Sequence, residues 1–96
     1  MKIFWTQTAI DRLREVYGYI HKDSPVNAQK WVESVLERIS RIPGFPKAAR
    51  KVPEIDSESI REIIFGNYRI IYKITNETIY LMTLRHFKQI LPVDEI

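Results

Sequence analysis

The chain carries only two imidazoles, His21 and His86, and neither has a second histidine or a cluster of carboxylates at ligand spacing. No metal site is expected from that pattern. The absence of cysteine excludes thiolate zinc sites, cysteine nucleophiles and a disulfide framework. Three glycines form neither a G-x-G-x-x-G nor a Walker pattern, and no serine stands in an elbow motif, so nucleotide-loop and α/β-hydrolase chemistry drop out as well. No cofactor is implied. What remains is a set of cations, Arg61, Arg69, Arg85, His86 and Lys88, interleaved with Tyr68, Tyr72 and Tyr80. Forked guanidinium groups hold phosphates, tyrosine stacks a base, and fixed cations stabilise the charge that develops when an RNA phosphodiester is attacked by its own 2′-hydroxyl.

Each of these residues also has a plain structural reading. Arg69 lies among apolar neighbours, so it is either an exposed guanidinium or the partner of Glu62. Tyr68 and Tyr72 alternate in phase with Ile70 and Ile74, which favours core packing over base stacking. Arg85-His86-Phe87-Lys88 ends a strand, where both functional side chains and ordinary surface charges project. His21 sits near a helix end, where the helix dipole accounts for it. Trp5 and Trp31 are candidates for an apolar groove that binds a partner, with core packing as the alternative.

The elements that must position these groups follow from periodicity. Lys2 to Trp5 is one short strand, and Thr8 followed by Asp11 matches an acidic capping box at the start of a helix. Ile10, Leu13, Val16, Tyr17 and Ile20 share a helical face; Asp11, Arg12, Arg14 and Glu15 point away, and Gly18 offers room for a second helix to approach. Ser24-Pro25 is an N-cap followed by proline at the first helical position. Ala28, Val32, Val35, Ile39 and Ile42 then repeat at 4-3-4-3 spacing until Pro43-Gly44, giving a helical hairpin. Residues 45–59 read as an ordered surface loop, longer than a structureless connection usually is.

From Ile60 the period becomes two. Ile60 to Phe65, Gly66-Asn67 and Tyr68 to Ile74 form a hairpin with a type II′ turn. Beyond Asn76-Glu77 a last strand runs from Thr78 to Arg85, with Ile79, Leu81 and Thr83 alternating against Tyr80, Met82 and Leu84. The order β-α-α-β-β-β predicts an α+β fold, a helical hairpin packed on a small, mainly antiparallel sheet whose opposite face stays partly open.

Ninety-six residues allow one domain, 1–96, and a chain this short buries roughly 60–65% of its unfolded surface, so binding a partner adds substantially to its stability. No apolar run reaches the length of a membrane span, and the start lacks the apolar stretch of a signal peptide; a soluble, cytoplasmic protein that does not engage membranes is the expectation. The net charge of +3 conceals two basic stretches. Arg38, Arg41, Lys47, Arg50 and Lys51 occur without an acid between them, and Arg61, Arg69, Lys73, Arg85 and Lys88 are offset only by Glu62 and Glu77. On one side of a fold they make a positive face; dispersed, they are solvated surface.

The segment Ile60-Arg61-Glu62-Ile63-Ile64-Phe65-Gly66-Asn67-Tyr68-Arg69-Ile70-Ile71-Tyr72 resembles the central hairpin of the RelE/ParE superfamily of bacterial toxins. Trp5-Thr6 with Ala9, Tyr17-Gly18-Tyr19-Ile20, Phe45-Pro46 with Arg50 and Val52-Pro53-Glu54, and Leu84-Arg85-His86 agree with its ParE-like branch in order and spacing. The resemblance implies the toxin half of a type II toxin–antitoxin pair, neutralised by a cognate antitoxin, in a complex that can be of higher order. ParE-like toxins are associated with poisoning DNA gyrase; RelE-like toxins cut mRNA on the ribosome with basic residues and no metal. Where RelE-like nucleases alternate cations on the first hairpin strand, this sequence has Glu62 and Ile64, so the resemblance favours gyrase as the target. Arg69 matches the hairpin arginine of both branches, and Lys88 matches the basic residue after the last strand. Trp5, Trp31, Arg69 and Arg85 are the expected antitoxin contacts. A ribosome-dependent endonuclease is the alternative function, and a nontoxic RNA-binding or degenerate relative a further one.

Overall fold

A computed structural model describes all of residues 1–96. It contains β1 (Lys2–Trp5), α1 (Gln7–Asp23), α2 (Pro25–Ser40), a 3-10 turn (Ile42–Gly44), β2 (Arg50–Lys51), β3 (Ile60–Phe65), β4 (Tyr68–Thr75), β5 (Thr78–His86) and a last 3-10 turn (Val93–Glu95). The expected order therefore holds, with one short strand added inside the loop. The sheet runs β1-β5-β4-β3-β2. β1 pairs parallel with β5 and every other pairing is antiparallel.

The start of α1 is set by Thr6, not by the Thr8–Asp11 box. Thr6 has extended backbone, its Oγ1 accepts the Ala9 amide at 3.1 Å, and it donates to the carbonyl of Leu81 at 2.7 Å. One hydroxyl thus caps the helix and ties it to β5. Asp11 instead accepts from the Gln7 side chain, one turn earlier. Ser24 is shared by both helices: its amide closes α1 on Ile20 at 3.0 Å, and its Oγ caps α2 by accepting from the Asn27 amide at 3.1 Å. A single-residue connection leaves the helices no choice but to run antiparallel. Gly18 does not mark a close helix approach, because it is exposed and a Cβ built there meets nothing within 4 Å.

On the sheet, the first hairpin forms as expected. Gly66 takes φ of 58° while Asn67 stays on the negative side, the sign pattern of a II′ turn. Tyr68, Ile70, Tyr72 and Ile74 face the helices and Arg69 and Ile71 the other side. On β5 the alternation breaks. Ile71 pairs with Thr83 but Tyr72 pairs with Leu81, leaving Met82 as an extra bulged residue. A bulge reverses which face the following side chains take. Leu84, not Thr83, therefore joins Ile79 and Leu81 in the helix-side core with Val35, Ile39 and Ile63, and Thr83 turns toward the opposite face. Burying each such aliphatic side chain contributes about 1.5–3 kcal/mol.

That opposite face is less open than its sequence implies. Val52 from the segment after β2, Ile71 of β4 and Leu91 of the C-terminal segment form a second small core, with Ile55, Ile60, Met82 and Ile96 packed around it. No helix is long and apolar enough to cross a membrane.

Candidate functional site

On the face away from the helices, β3 and β4 present Glu62 and Arg69 side by side. The Glu62 side chain is wholly buried, yet it is an acid, and its two oxygens are taken by Arg69 Nε at 2.6 Å and by the Arg50 guanidinium. The two terminal nitrogens of Arg69 then close a two-pronged contact on Glu54, both at 2.7 Å. A planar fork on a carboxylate is the strongest geometry an arginine has. Glu54 is accordingly held at about 2, chiefly by hydrogen bonds from Arg69, and the Arg69 guanidinium is driven further toward its charged form by the same contact. Glu62, named by the sequence as a partner of Arg69, is that partner; Glu54 and Arg50 complete a four-residue chain.

Arg61 is a structural clamp. Its Nε donates to the Glu58 carbonyl, Nη1 to the carbonyls of Lys47 and Ala49, and Nη2 to the Glu58 carboxylate at 2.8 Å. Two of these bonds hold the segment before β2 against the start of β3, and two hold the Glu58 turn just ahead of β3. Tyr72, buried against the α2 side, donates from its hydroxyl to the Pro46 carbonyl at 2.6 Å, and burial pushes its ionisation upward.

Arg85 lies directly opposite Arg69 in the β4–β5 register. Like charges facing each other across two strands are unfavourable, and each here has its own acid from a loop. For Arg85 the acid is Glu95, in the C-terminal turn. Glu95 Oε1 accepts from Arg85 Nε at 2.8 Å and from Thr83 Oγ1 at 2.7 Å, while Oε2 accepts from Arg85 Nη2 at 2.6 Å and Arg12 Nε at 3.2 Å. The Arg85 bonds come first in holding this carboxyl at about 2, with Thr83 and Arg12 adding to them. Arg12, expected to point away from the fold, reaches back to this cluster and to Glu15.

His86 is part of an aromatic row. Trp31 meets Tyr68 edge-on at 5.7 Å, Tyr68 meets His86 edge-on at 5.6 Å, and His86 stacks on Phe87 at 5.2 Å. Its Nδ1 accepts the Lys88 amide at 3.2 Å, while the Lys88 ammonium stands 6.0 Å over the Phe87 ring. Trp5 and Trp31 are both half-buried against the main core, on different elements. Beside the row lies a cavity of about 490 Å³ lined by Arg12, Tyr19, Tyr68, Arg85, His86 and Gln89 among others. The structure therefore brings Arg85, His86, Tyr68 and Trp31 into one neighbourhood, sets Arg69 beside Arg85 on the far face, and places Arg61 apart from them.

Of the ten cations in the two basic stretches, Arg41, Arg50, Lys51, Arg61, Arg69 and Arg85 are ion-paired, leaving Arg38, Lys47, Lys73 and Lys88 without an acidic partner. A concentrated positive face is not what results. No group of acids and histidines stands close enough to hold a metal ion. Glu54, Glu95, Arg12 and Thr83 were missed by sequence reasoning. Glu54 sits in a loop with no period, and the only signal for Glu95 was its place in a short tail beyond the last strand.

A family model described as "ParE toxin of type II toxin-antitoxin system, parDE" matches residues 3–91 of the chain. Among solved structures, the chain is similar to one from the "Chromosomal ParDE TA system from P. aeruginosa", with a TM-score of 0.74 and 17% identity over 90% of this chain and 95% of that one. It is also similar to one from the RelBE2 toxin–antitoxin complex of Mycobacterium tuberculosis, with a TM-score of 0.54 and 23% identity over 88% of this chain and 95% of that one. No curated protein sequence is significantly similar.

Proposed function

The chain belongs to the ParE toxin family of type II toxin–antitoxin systems, and from that premise we propose that it arrests growth by binding a protein target, DNA gyrase, and is neutralised by a cognate antitoxin. The observation that favours binding over RNA cleavage is the occupancy of the guanidinium groups. Arg61, Arg69 and Arg85 each contact a carboxylate of this same chain, so none offers a free fork to a phosphate. Glu62 and Ile64 stand where alternate cations would be needed. Gyrase as the target is carried by the family alone.

The alternative, a ribosome-dependent endonuclease, draws on His86 at the end of β5 and Lys88 two residues beyond it, whose amide donates to His86 Nδ1. Induction of the protein in a bacterial host separates the two. Under the proposed reading, plasmid supercoiling and replication fail while translated messages stay intact. Message cleavage within codons, preceding any change in supercoiling, overturns it. Unimpaired growth after induction of soluble protein removes the toxin reading in that host.

A further inference from the structure

Of the arginines in the two basic stretches, Arg38 alone has no acid against it. It stands in the last turn of α2 and, with Arg41 just beyond, lines a cavity of about 400 Å³ whose apolar surface comes from Ile42, Phe45, Ile63 and Tyr72. Ile63 and Tyr72 belong to the main core, so the cavity opens on the helix side of the sheet, away from Arg69 and Glu62. We propose that this cavity binds a phosphorylated nucleoside, free or as one unit of a single strand, with its phosphate on Arg38 and Arg41 and its base on the Phe45 ring.

Phe45 sets the aromatic half of the ligand. At 79% exposure it is the most exposed phenylalanine or tyrosine of the chain and adds little to the core. Its loop is nevertheless pinned. The Tyr72 hydroxyl donates to the Pro46 carbonyl at 2.6 Å, and Arg61 Nη1 donates to the carbonyls of Lys47 and Ala49 at 3.3 and 3.0 Å. The Phe45 amide bonds to the Ile42 carbonyl, and the Ala48 amide to the Phe45 carbonyl, both at 3.1 Å. Five bonds on residues 45–49 thus hold an aromatic face out in water. Stacking on a loop already fixed in place costs little ordering, and any base offers the π-face it needs.

Charge sets the other half. No carboxylate occupies the half-buried Arg38 guanidinium. Arg41 gives one nitrogen to Glu37 in a contact whose two side chains are 62% and 61% exposed, so its other donors remain free. Between Arg38 and Lys51 the chain has no acid to compete with an anion. Burial raises the ionisation of Tyr72, and the charges of Arg61 and Arg38 oppose that rise, which puts Arg38 within electrostatic reach of the hydroxyl on the cavity wall. Two guanidinium groups from one helical turn match the three oxygens of a phosphate better than the two of a single carboxylate. The cavity is also of ligand size, within the roughly 300–1,000 Å³ of small-molecule sites. The proposal is independent of the toxin reading, since it uses neither the Arg85 cluster nor the Arg69 chain.

The test titrates the full chain with adenosine 5′-monophosphate, adenosine, inorganic phosphate and a four-nucleotide single strand, following the Arg38 Nε–H and Phe45 ring resonances. The nucleotide is expected to bind about tenfold more tightly than adenosine or inorganic phosphate, shifting both sets of resonances. A strand that binds more tightly than the mononucleotide identifies the source as single-stranded nucleic acid; equal affinity identifies a free nucleotide. Arg38→Ala should weaken nucleotide binding about tenfold. Phe45→Ala should weaken it about fivefold while leaving inorganic phosphate unaffected. Lys73→Ala, which removes an unpaired cation outside the cavity, should change nothing. Equal affinity for the nucleotide and inorganic phosphate, or for the nucleotide and adenosine, overturns the proposal. So does an equal loss in Lys73→Ala, which would mean diffuse attraction to a basic protein. On the unaltered chain, with no variant needed, Phe45 ring resonances that stay fixed at saturating nucleotide, or the absence of binding by nucleotide and strand alike, overturn it too.

Discussion

Arg69 carries different meanings in sequence and in structure. In sequence it is a cation among apolar residues; folded, it is the middle of a chain running from Arg50 through Glu62 to Glu54. Removing it leaves the wholly buried Glu62 with Arg50 alone. A buried charge left with no partner costs about 3–5 kcal/mol, but Arg50 still neutralises Glu62. Arg69→Ala should therefore lower stability in urea by about 1.5–3 kcal/mol, the loss of its charged hydrogen bonds, and a loss below about 1 kcal/mol would show that Glu62 is reached by water. Any activity lost in that variant must therefore be judged against its folded fraction. Glu95 gives a pH signature. Its folded carboxyl titrates at about 2, below its ordinary 4.5, so the stability it contributes is complete above pH 4.5 and is lost as the pH falls toward 2. The gap in stability between the unaltered chain and Glu95→Gln, on the order of 2 kcal/mol at neutral pH, should close across that window. A gap independent of pH means that the ion pairs contribute nothing. Arg69 and Glu62 were legible as neighbours because Ile60 to Ile74 reads cleanly as a hairpin. Glu95 was not, since nothing local in a tail specifies where it docks.

Elements with strong periods were the legible ones. The Ser24-Pro25 start and the Gly66 turn form as their spacing requires, and the α2 stripe is buried at Ala28, Val35 and Ile39, while the helix stops at Ser40 and Ile42 joins the core from the 3-10 turn. β2 was hidden because two residues, Arg50 and Lys51, carry no period at all. The Met82 bulge was hidden because it depends on pairing with β4 and leaves no mark in the β5 sequence itself. Two glycines separate backbone from packing effects. Gly18 is helical and exposed with free space around it, so Gly18→Ala should stabilise by about 1 kcal/mol. Gly66 has equal space but φ of 58°, so Gly66→Ala should destabilise by about 1 kcal/mol or more. Thermal melts of both variants check the pair. Shifts of the same sign mean that helix propensity or turn strain has been misjudged.

At the scale of the molecule, two cores share one sheet, and the smaller depends on the C-terminal segment. Leu91 fills the space between Val52 and Ile71, while Glu95 neutralises Arg85. Deleting residues 87–96 removes both, at a cost of about 4 kcal/mol from the roughly 5–15 kcal/mol of a domain this size. The shortened chain should unfold at markedly lower urea; an unchanged midpoint means that the second core contributes nothing to the cooperative fold. No apolar stripe marks this core along the chain, since its members come from a loop, a strand and a tail.

The parallel pairing of β1 with β5 also orders events in time. Thr6 bonds to the carbonyl of Leu81, a partner 75 residues further along the chain. A contact of that span closes a long loop and slows folding. At roughly 5–20 residues per second, the ribosome delivers β5 some 4–15 s after β1. Throughout that interval the first strand lacks β5, the strand it pairs with. The toxin therefore completes its sheet only once β5 has been made, and a partner that recognises the assembled sheet cannot meet it earlier.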